Sequence, residues 1–150
     1  MPIKSFADCS KDVLHRDAGE GTTSIKDKPG SLASKLSALD SAGVNLEFVI
    51  GRRAPEKSGK WVSFVTPIKG ASGCQAARQR GFERMKSIYT LRNQGPDKPG
   101  QGARIAQALA DKGLNARGLS AAAIGNQFLA HIALDSATDA TEAARITRAL

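Results

Sequence analysis

Apolar side chains recur first at helical spacing and then at strand spacing along the chain, and this alternation predicts its secondary structure. Leucines three or four positions apart indicate a helix over residues 29–42, which Gly43 ends. Apolar and polar residues alternate over 44–51, as they do in a strand with one buried face. A turn over 53–59 and a second apolar strand over 61–67 complete an antiparallel hairpin. The first half of the chain is therefore expected to mix helices with antiparallel strands.

The same periodicities continue to the end of the chain. A short helix is predicted over 74–80, ended by Gly81, and a strand over 82–85. Asp139, with Glu142 three residues later, predicts an N-terminal capping pair for the last helix. The remaining predicted elements are a strand at 22–25, a strand at 87–93, a helix at 99–112, strands at 114–123 and 128–134, and a helix at 139–150. The pattern thus alternates strands and helices twice over.

One turn sequence occurs twice, seventy residues apart. Asp-Lys-Pro-Gly occupies 27–30 and again 97–100, and aligning 27–45 with 97–115 gives nine identities in nineteen positions. Self-similarity at a fixed period is the sequence signature of an internal repeat. Each copy leads into a predicted helix, so each turn is expected to join a strand to a helix.

The chemistry of this turn suits a small anion. Pro29 or Pro99 fits the first turn of a helix, where its missing N–H would have had no partner. Gly30 or Gly100 lets another group approach the backbone. The next amides have no intrahelical acceptor and carry the positive end of the helix dipole, so they can receive a carboxylate. Plain helix initiation is the alternative explanation for each turn.

Both copies of the repeat resemble the opening of an ACT domain. The segments that carry the resemblance are Asp27 to Ala33 with Ala42 to Leu46, and Asp97 to Ala103 with Gly113 to Asn115. The resemblance extends over most of the chain as two tandem units, at residues 1–85 and 86–150. It implies an α+β fold in which each unit is ferredoxin-like (βαββαβ), with a mainly antiparallel sheet and helices on one face.

The resemblance also implies a small regulatory ligand, usually an amino acid, at the interface between units. Backbone amides of the turn would take its carboxylate, and Asp27 or Asp97 would pair with its α-ammonium group. An asparagine of the neighbouring unit would both donate and accept hydrogen bonds. The implied ligand-binding residues are Asp27, Lys28, Pro29, Gly30 and Asn45 in the first unit, and Asp97, Lys98, Pro99, Gly100 and Asn115 in the second.

The two copies are not expected to form equivalent sites. Gly102 and Ile105 stand where the first copy has Leu32 and Lys35, so the second helix presents a different packing surface. The second copy also lacks a fourth strand, and an N-terminal strand near residues 3–6 is a candidate to complete it. Units of about 60 to 70 residues bury little core, so they are expected to pack on one another, and the chain is expected to form a homodimer.

The net charge of +8 is concentrated in the first part of the chain. Residues 1–95 hold sixteen Lys and Arg against nine Asp and Glu, whereas 96–150 hold six against five. A solvated basic face and a surface for RNA both fit this excess. RNA binding is disfavoured because the glycine-aromatic core of the common RNA-recognition strand is missing and aromatic residues make up only 5% of the chain. The basic clusters are Arg52, Arg53, Lys57 and Lys60, and Arg78, Arg80, Arg84, Lys86 and Arg92.

Few residues suggest catalysis or a cofactor. His131 is expected to be a packed or half-exposed strand residue, because no nucleophile and orienting acid stand near it at a motif spacing. Cys9 and Cys74 lack the spacing of a zinc site or a redox pair, and no metal or cofactor is implied. The sequence shows neither a signal peptide nor a membrane span, so a cytoplasmic location is expected.

The sequence therefore predicts a noncatalytic protein that senses a small amino acid or a related metabolite. Such a protein would act on a separate enzyme or other protein. A ligand-free module for protein assembly is the alternative.

Overall fold

The computed structural model describes residues 18–54, 58–85 and 87–150. Two compact units meet in the sequence between Lys86 and Ser87. The strand predicted near residues 3–6 lies outside the described residues.

The first unit alternates strands and helices in the order βαββαβ. Its sheet has the strand order β2-β3-β1-β4, and every neighbouring pair is antiparallel. The elements are β1 (Ala18–Lys26), α1 (Ser31–Ser41), β2 (Phe48–Arg53), β3 (Lys60–Lys69), α2 (Gly70–Gln79) and β4 (Glu83–Arg84). This order and this pairing are those of a ferredoxin-like unit, as the sequence predicted.

The second unit repeats the order up to its last helix. Its described residues form an antiparallel sheet of three strands in the order β5-β7-β6. The elements are β5 (Tyr89–Pro96), α3 (Gln101–Asp111), β6 (Gly118–Ile124), β7 (Gln127–Leu134) and α4 (Ala137–Arg148).

Each unit has its own apolar core, in which side chains of its helices and of its sheet pack together. In the first unit Leu39 of α1 and Ala77 of α2 pack with Val65 of β3. In the second unit Ile105 of α3 packs with Ile132 of β7, and both are fully buried. Alternate residues of each central strand therefore point at the helices, which cover one face of each sheet.

The helix starts differ from the sequence prediction. α1 and α3 begin at Ser31 and Gln101, two residues later than expected, so each proline precedes the helix rather than occupying its first position. The strand predicted from residue 44 begins at Phe48, because the chain first makes a turn at the end of α1. α2 begins at Gly70, four residues before the predicted start of this helix at residue 74.

The cap of the last helix also differs from the prediction. The side chain of Ser136 is the N-cap of α4, and its Oγ accepts a hydrogen bond from the N–H of Asp139 at 3.0 Å. Glu142 pairs with Arg145 one turn further along the helix. The predicted capping pair of Asp139 and Glu142 is therefore wrong, because a serine three residues upstream already provides the acceptor.

Candidate functional site

The glycine of each duplicated turn has a backbone conformation that side chains disfavour. Gly30 has φ of +83° and Gly100 has φ of +79°, and both lie immediately before a helix. A Cβ added at Gly30 would meet no atom within 4 Å. Glycine is thus required here by the left-handed conformation, and the space in front of the backbone is open, as a ligand would need.

Both turns are attached to the rest of their unit in the same way. The N–H of Asp27 donates to the carbonyl oxygen of Gly59 at 2.9 Å, and the N–H of Asp97 donates to that of Asn126 at 2.8 Å. Gly59 and Asn126 occupy the hairpin turns that connect β2 to β3 and β6 to β7. The repeat found in the sequence is therefore also a repeat of backbone geometry.

The helices that follow the two turns start without a capping side chain. In the described part of the chain no side chain accepts a hydrogen bond from the first amides of α1 or α3, and neither first turn contains an acidic residue. The carbonyl of Lys28 accepts from the N–H of Ser31 at 3.3 Å, which is a long contact. These helix starts therefore keep a partial positive charge directed outward.

Asp27 already has partners for both of its carboxylate oxygens. Nε of Arg53 lies 3.0 Å from Oδ2, and Nε1 of Trp61 donates to Oδ1 at 2.8 Å. By strand register, Ala123 and Phe128 hold the places in the second unit that Arg53 and Trp61 hold in the first. Asp97 therefore cannot be held in the same way, and the two aspartates differ in what they can offer a ligand.

A cleft of about 720 Å³ lies beside the turn of the first unit. Its lining includes Pro29 and Gly30 of the turn and Arg80 and Gly81 at the end of α2. Among the described residues that line it, none is acidic. The basic residues that line it are Lys26, Lys28, Lys35 and Arg80.

Lys35 is fixed in place at the cleft. Its Nζ donates to Oγ1 of Thr23 and to the carbonyl oxygen of Arg80, both at 2.6 Å, and lies 5.5 Å from the ring centroid of Phe82. Burial, and then the positive charge of Arg80, lower the pKa of Lys35 below its usual value. Two of the three N–H donors of the ammonium group are used in this way, which leaves one for another acceptor.

Two of the corresponding positions of the second unit carry no charge, although Lys98 stands at the place of Lys28. Ile105 stands at the place of Lys35 and is fully buried in the core. Pro96 stands at the place of Lys26. The basic cleft is therefore a feature of the first copy of the repeat, in line with the expectation that the two sites are not equivalent.

The two predicted asparagines lie far from the turn of their own unit. Asn45 and Asn115 are exposed and lie in the loops that follow α1 and α3. An eleven-residue helix is about 16 Å long, so Asn45 and Gly30 are at opposite ends of α1. Within a unit the structure does not bring the asparagine and the turn together, and contact with a neighbouring unit stays a prediction.

Several residues that shape this site were not predicted from the sequence. Thr23 and Trp61 were taken only as strand residues, and Arg53 and Arg80 only as members of basic clusters. The strand register that places Arg53 beside Trp61 cannot be read from composition. One signal was present, because Arg80 immediately precedes Gly81, and a basic residue at a helix end often lies near the last carbonyls.

The side chain of His131 is unsuited to acid–base chemistry at neutral pH. It lies on β7 opposite Arg92 of β5 and Ser120 of β6, and only 7% of it is exposed. Burial, and then the charge of Arg92, lower its pKa from 6.5 to about 4. The prediction of a packed strand residue is consistent with this position. Across the described residues, no three His, Cys, Asp or Glu side chains cluster closely enough to hold a metal ion.

The depressed pKa of His131 predicts a loss of stability in mild acid. Between pH 6.5 and pH 4 the unfolded chain binds a proton at this histidine and the folded chain does not, so acid favours unfolding. We expect His131 to account for a fall of about 2 kcal/mol in the free energy of unfolding between pH 7 and pH 4.5. Urea unfolding of the wild type and of His131→Gln across this range measures it. Parallel pH profiles for the two proteins would contradict the assignment.

Comparison with solved structures shows the fold of both units. The structure resembles a protein of Bacteroides thetaiotaomicron with a TM-score of 0.69 and 15% identity, covering 86% of this chain and 87% of that one. It resembles the regulatory subunit of aspartate kinase from Thermus thermophilus with a TM-score of 0.63 and 21% identity, covering 89% and 93%. The regulatory subunit of aspartate kinase from Thermus flavus is similar with a TM-score of 0.62 and 20% identity, covering 99% of this chain and 96% of that one. The chain therefore has the tandem ACT-type fold that its sequence predicted.

Comparison of the sequence with family models and with curated proteins assigns no family. No family model matches the chain, and no curated protein matches it. None of the helices in the described part of the chain combines the length and the apolar character needed to cross a bilayer.

Proposed function

We propose that this protein is a noncatalytic regulatory protein that binds a small amino acid or a related metabolite at its duplicated turns. The observation that carries the proposal is the left-handed glycine at the start of α1, which faces open space beside a cleft. The backbone amides after Gly30 offer donors for a ligand carboxylate. The turn of the second unit has the same backbone geometry and is a second candidate position.

The similar structures support a regulatory role for the chain. Two of them are regulatory subunits of aspartate kinase, and the chain matches nearly their whole length. By analogy, the protein acts on a separate enzyme or other protein. The cytoplasmic location and the homodimer that were expected from the sequence are part of the same proposal. In such an arrangement Asn45 or Asn115 of a neighbouring unit completes the site by hydrogen bonds to the ligand.

A thermal-shift screen of the twenty amino acids tests this proposal. A ligand at about one hundred times its dissociation constant stabilises the folded protein by roughly 2.7 kcal/mol. We expect at least one amino acid to raise the melting temperature of the wild type. Gly30→Leu is expected to abolish this shift, because the new side chain fills the open space and disturbs the turn.

A matched variant separates loss of the site from loss of stability. Gly70 also has a positive φ, of +76°, and it also faces open space at a helix start, but it does not line the cleft. Gly70→Leu therefore introduces the same backbone strain and should leave the ligand-induced shift intact. An undiminished shift in Gly30→Leu, lost instead in Gly100→Leu, moves the site to the second unit. A screen in which no amino acid raises the melting temperature favours the ligand-free assembly module.

A further inference from the structure

The cleft of the first unit presents positive charge alone. Lys26, Lys28, Lys35 and Arg80 line it, and among its described lining residues there is no carboxylate. Like charges that share a cleft repel one another, and an anion bound among them removes this repulsion. The cleft is therefore electrostatically suited to an anion.

Asp27 stands between Lys26 and Lys28 in the sequence, but its carboxylate is already paired elsewhere. Both carboxylate oxygens of Asp27 are engaged, one with Nε of Arg53 and the other with Nε1 of Trp61. A ligand ammonium group would have to share these oxygens with both partners, and the guanidinium group of Arg53 already balances the charge of the carboxylate. The structure thus offers several cationic partners for ligand carboxylates and, among the described residues that line the cleft, no carboxylate for an ammonium group.

Lys35 is held in a geometry suited to a bound anion. Its contacts with Thr23 and with the carbonyl of Arg80 fix Nζ without neutralising its charge, because both acceptors are uncharged. An ammonium group fixed in advance loses little side-chain entropy when a ligand binds. Its remaining N–H donor is left for an acceptor in the cleft.

We infer that the first unit selects a small ligand with at least two acidic groups, such as an acidic amino acid or another dicarboxylate, over neutral molecules of the same shape. This inference rests on the proposed function, because it concerns the ligand of the same turn. It assigns the ligand class to the first unit only. The second unit has Ile105 and Pro96 at two of the four basic positions and does not share this preference.

Pairs of ligands that differ only in charge test the inference. The full-length protein is titrated by calorimetry, at constant ionic strength, with aspartate and asparagine and with glutamate and glutamine. Succinate and inorganic phosphate serve as anions without an amino group. We expect the acidic member of at least one pair to bind at least tenfold more tightly than its amide.

Charge-removing variants locate the binding. Lys28→Gln and Arg80→Gln are each expected to weaken binding of the acidic ligand about tenfold, the loss of one hydrogen bond to a charged group. Arg78→Gln is the control. Arg78 is an exposed arginine in the last turn of α2, two residues before Arg80, and it does not line the cleft. The affinity of Arg78→Gln for the acidic ligand should equal that of the wild type.

The outcomes separate this inference from the proposed function. If the wild type binds an amide and its acid with equal affinity and Gly30→Leu binds neither, the charge selection is overturned and the proposed function is supported. Binding of succinate or phosphate, lost in Arg80→Gln and without binding of any amino acid, supports the charge selection and overturns the amino acid as ligand. Equal losses in Arg78→Gln and Arg80→Gln, or no binding of any anion, overturn the inference.

Discussion

Replacing Ile105 by lysine is expected to lower the free energy of unfolding of the second unit by more than about 4 kcal/mol. Ile105 is fully buried between α3 and its sheet, in a cluster with Ile132 and Leu109. Lysine would bring a charge into this core, where its apolar neighbours offer no acceptor. Lysine is nevertheless the residue that the first copy of the repeat has at the equivalent position, Lys35. Urea unfolding of the full-length variant measures the effect.

The reciprocal substitution is the control for this prediction. Lys35→Ile removes two hydrogen bonds from the edge of the first core and is expected to cost about 1 kcal/mol, because Phe82 can pack against the new side chain. The two helices align residue by residue, so this asymmetry arises from their surroundings. A stability of Ile105→Lys within about 1 kcal/mol of the wild type would contradict the described core.

Replacing Ile132 by alanine is the second substitution with a large expected effect. Ile132 lies in the middle of β7, between Leu91 of β5 and Leu119 of β6 in the register, and it is fully buried. Removing its side chain leaves a cavity beneath α3 and α4, and we expect a loss of about 3 kcal/mol. Leu119 is 45% exposed on the neighbouring edge strand. Leu119→Ala is therefore the control and should cost about 1 kcal/mol or less. Equal losses in the two variants would contradict the described difference in burial between these two side chains.

Much of the fold could be predicted because local pattern and tertiary structure agree. The helix containing Leu39 buries this residue as its spacing indicated, and the alternation in β7 places Ile132 in the core. The repeat of 27–45 in 97–115 predicted a repeat of backbone geometry, which the hydrogen bonds of Asp27 and Asp97 reproduce.

The helix starts were predicted incorrectly for a physical reason. Pro29 can occupy the first helical position, but Gly30 takes a left-handed conformation that no α-helix accommodates, so α1 starts after it. The cap of α4 was assigned to Asp139 although Ser136 is an equally good N-cap residue. Sequence rules of this kind leave a helix boundary open by a few residues.

The composition of the candidate site could be predicted only in part. The turn itself was identified from its repetition. The partners of Asp27 come from two other strands, and Arg80 reaches the cleft from the end of α2. Such neighbours depend on strand register and on helix packing, which the pattern of a single segment does not specify. The sequence therefore predicted Asp27 as a partner for a ligand ammonium group, because it did not show that Arg53 and Trp61 already contact the carboxylate.

The most direct test of the account is the response of the Gly30 backbone amide to ligand. Two-dimensional ¹H–¹⁵N nuclear magnetic resonance spectra of the labelled full-length protein are recorded as an equimolar pool of the twenty amino acids is added. The account predicts that the largest shifts fall on the amides of Gly30 to Ala33. Saturating additions that leave these four resonances unmoved would contradict it.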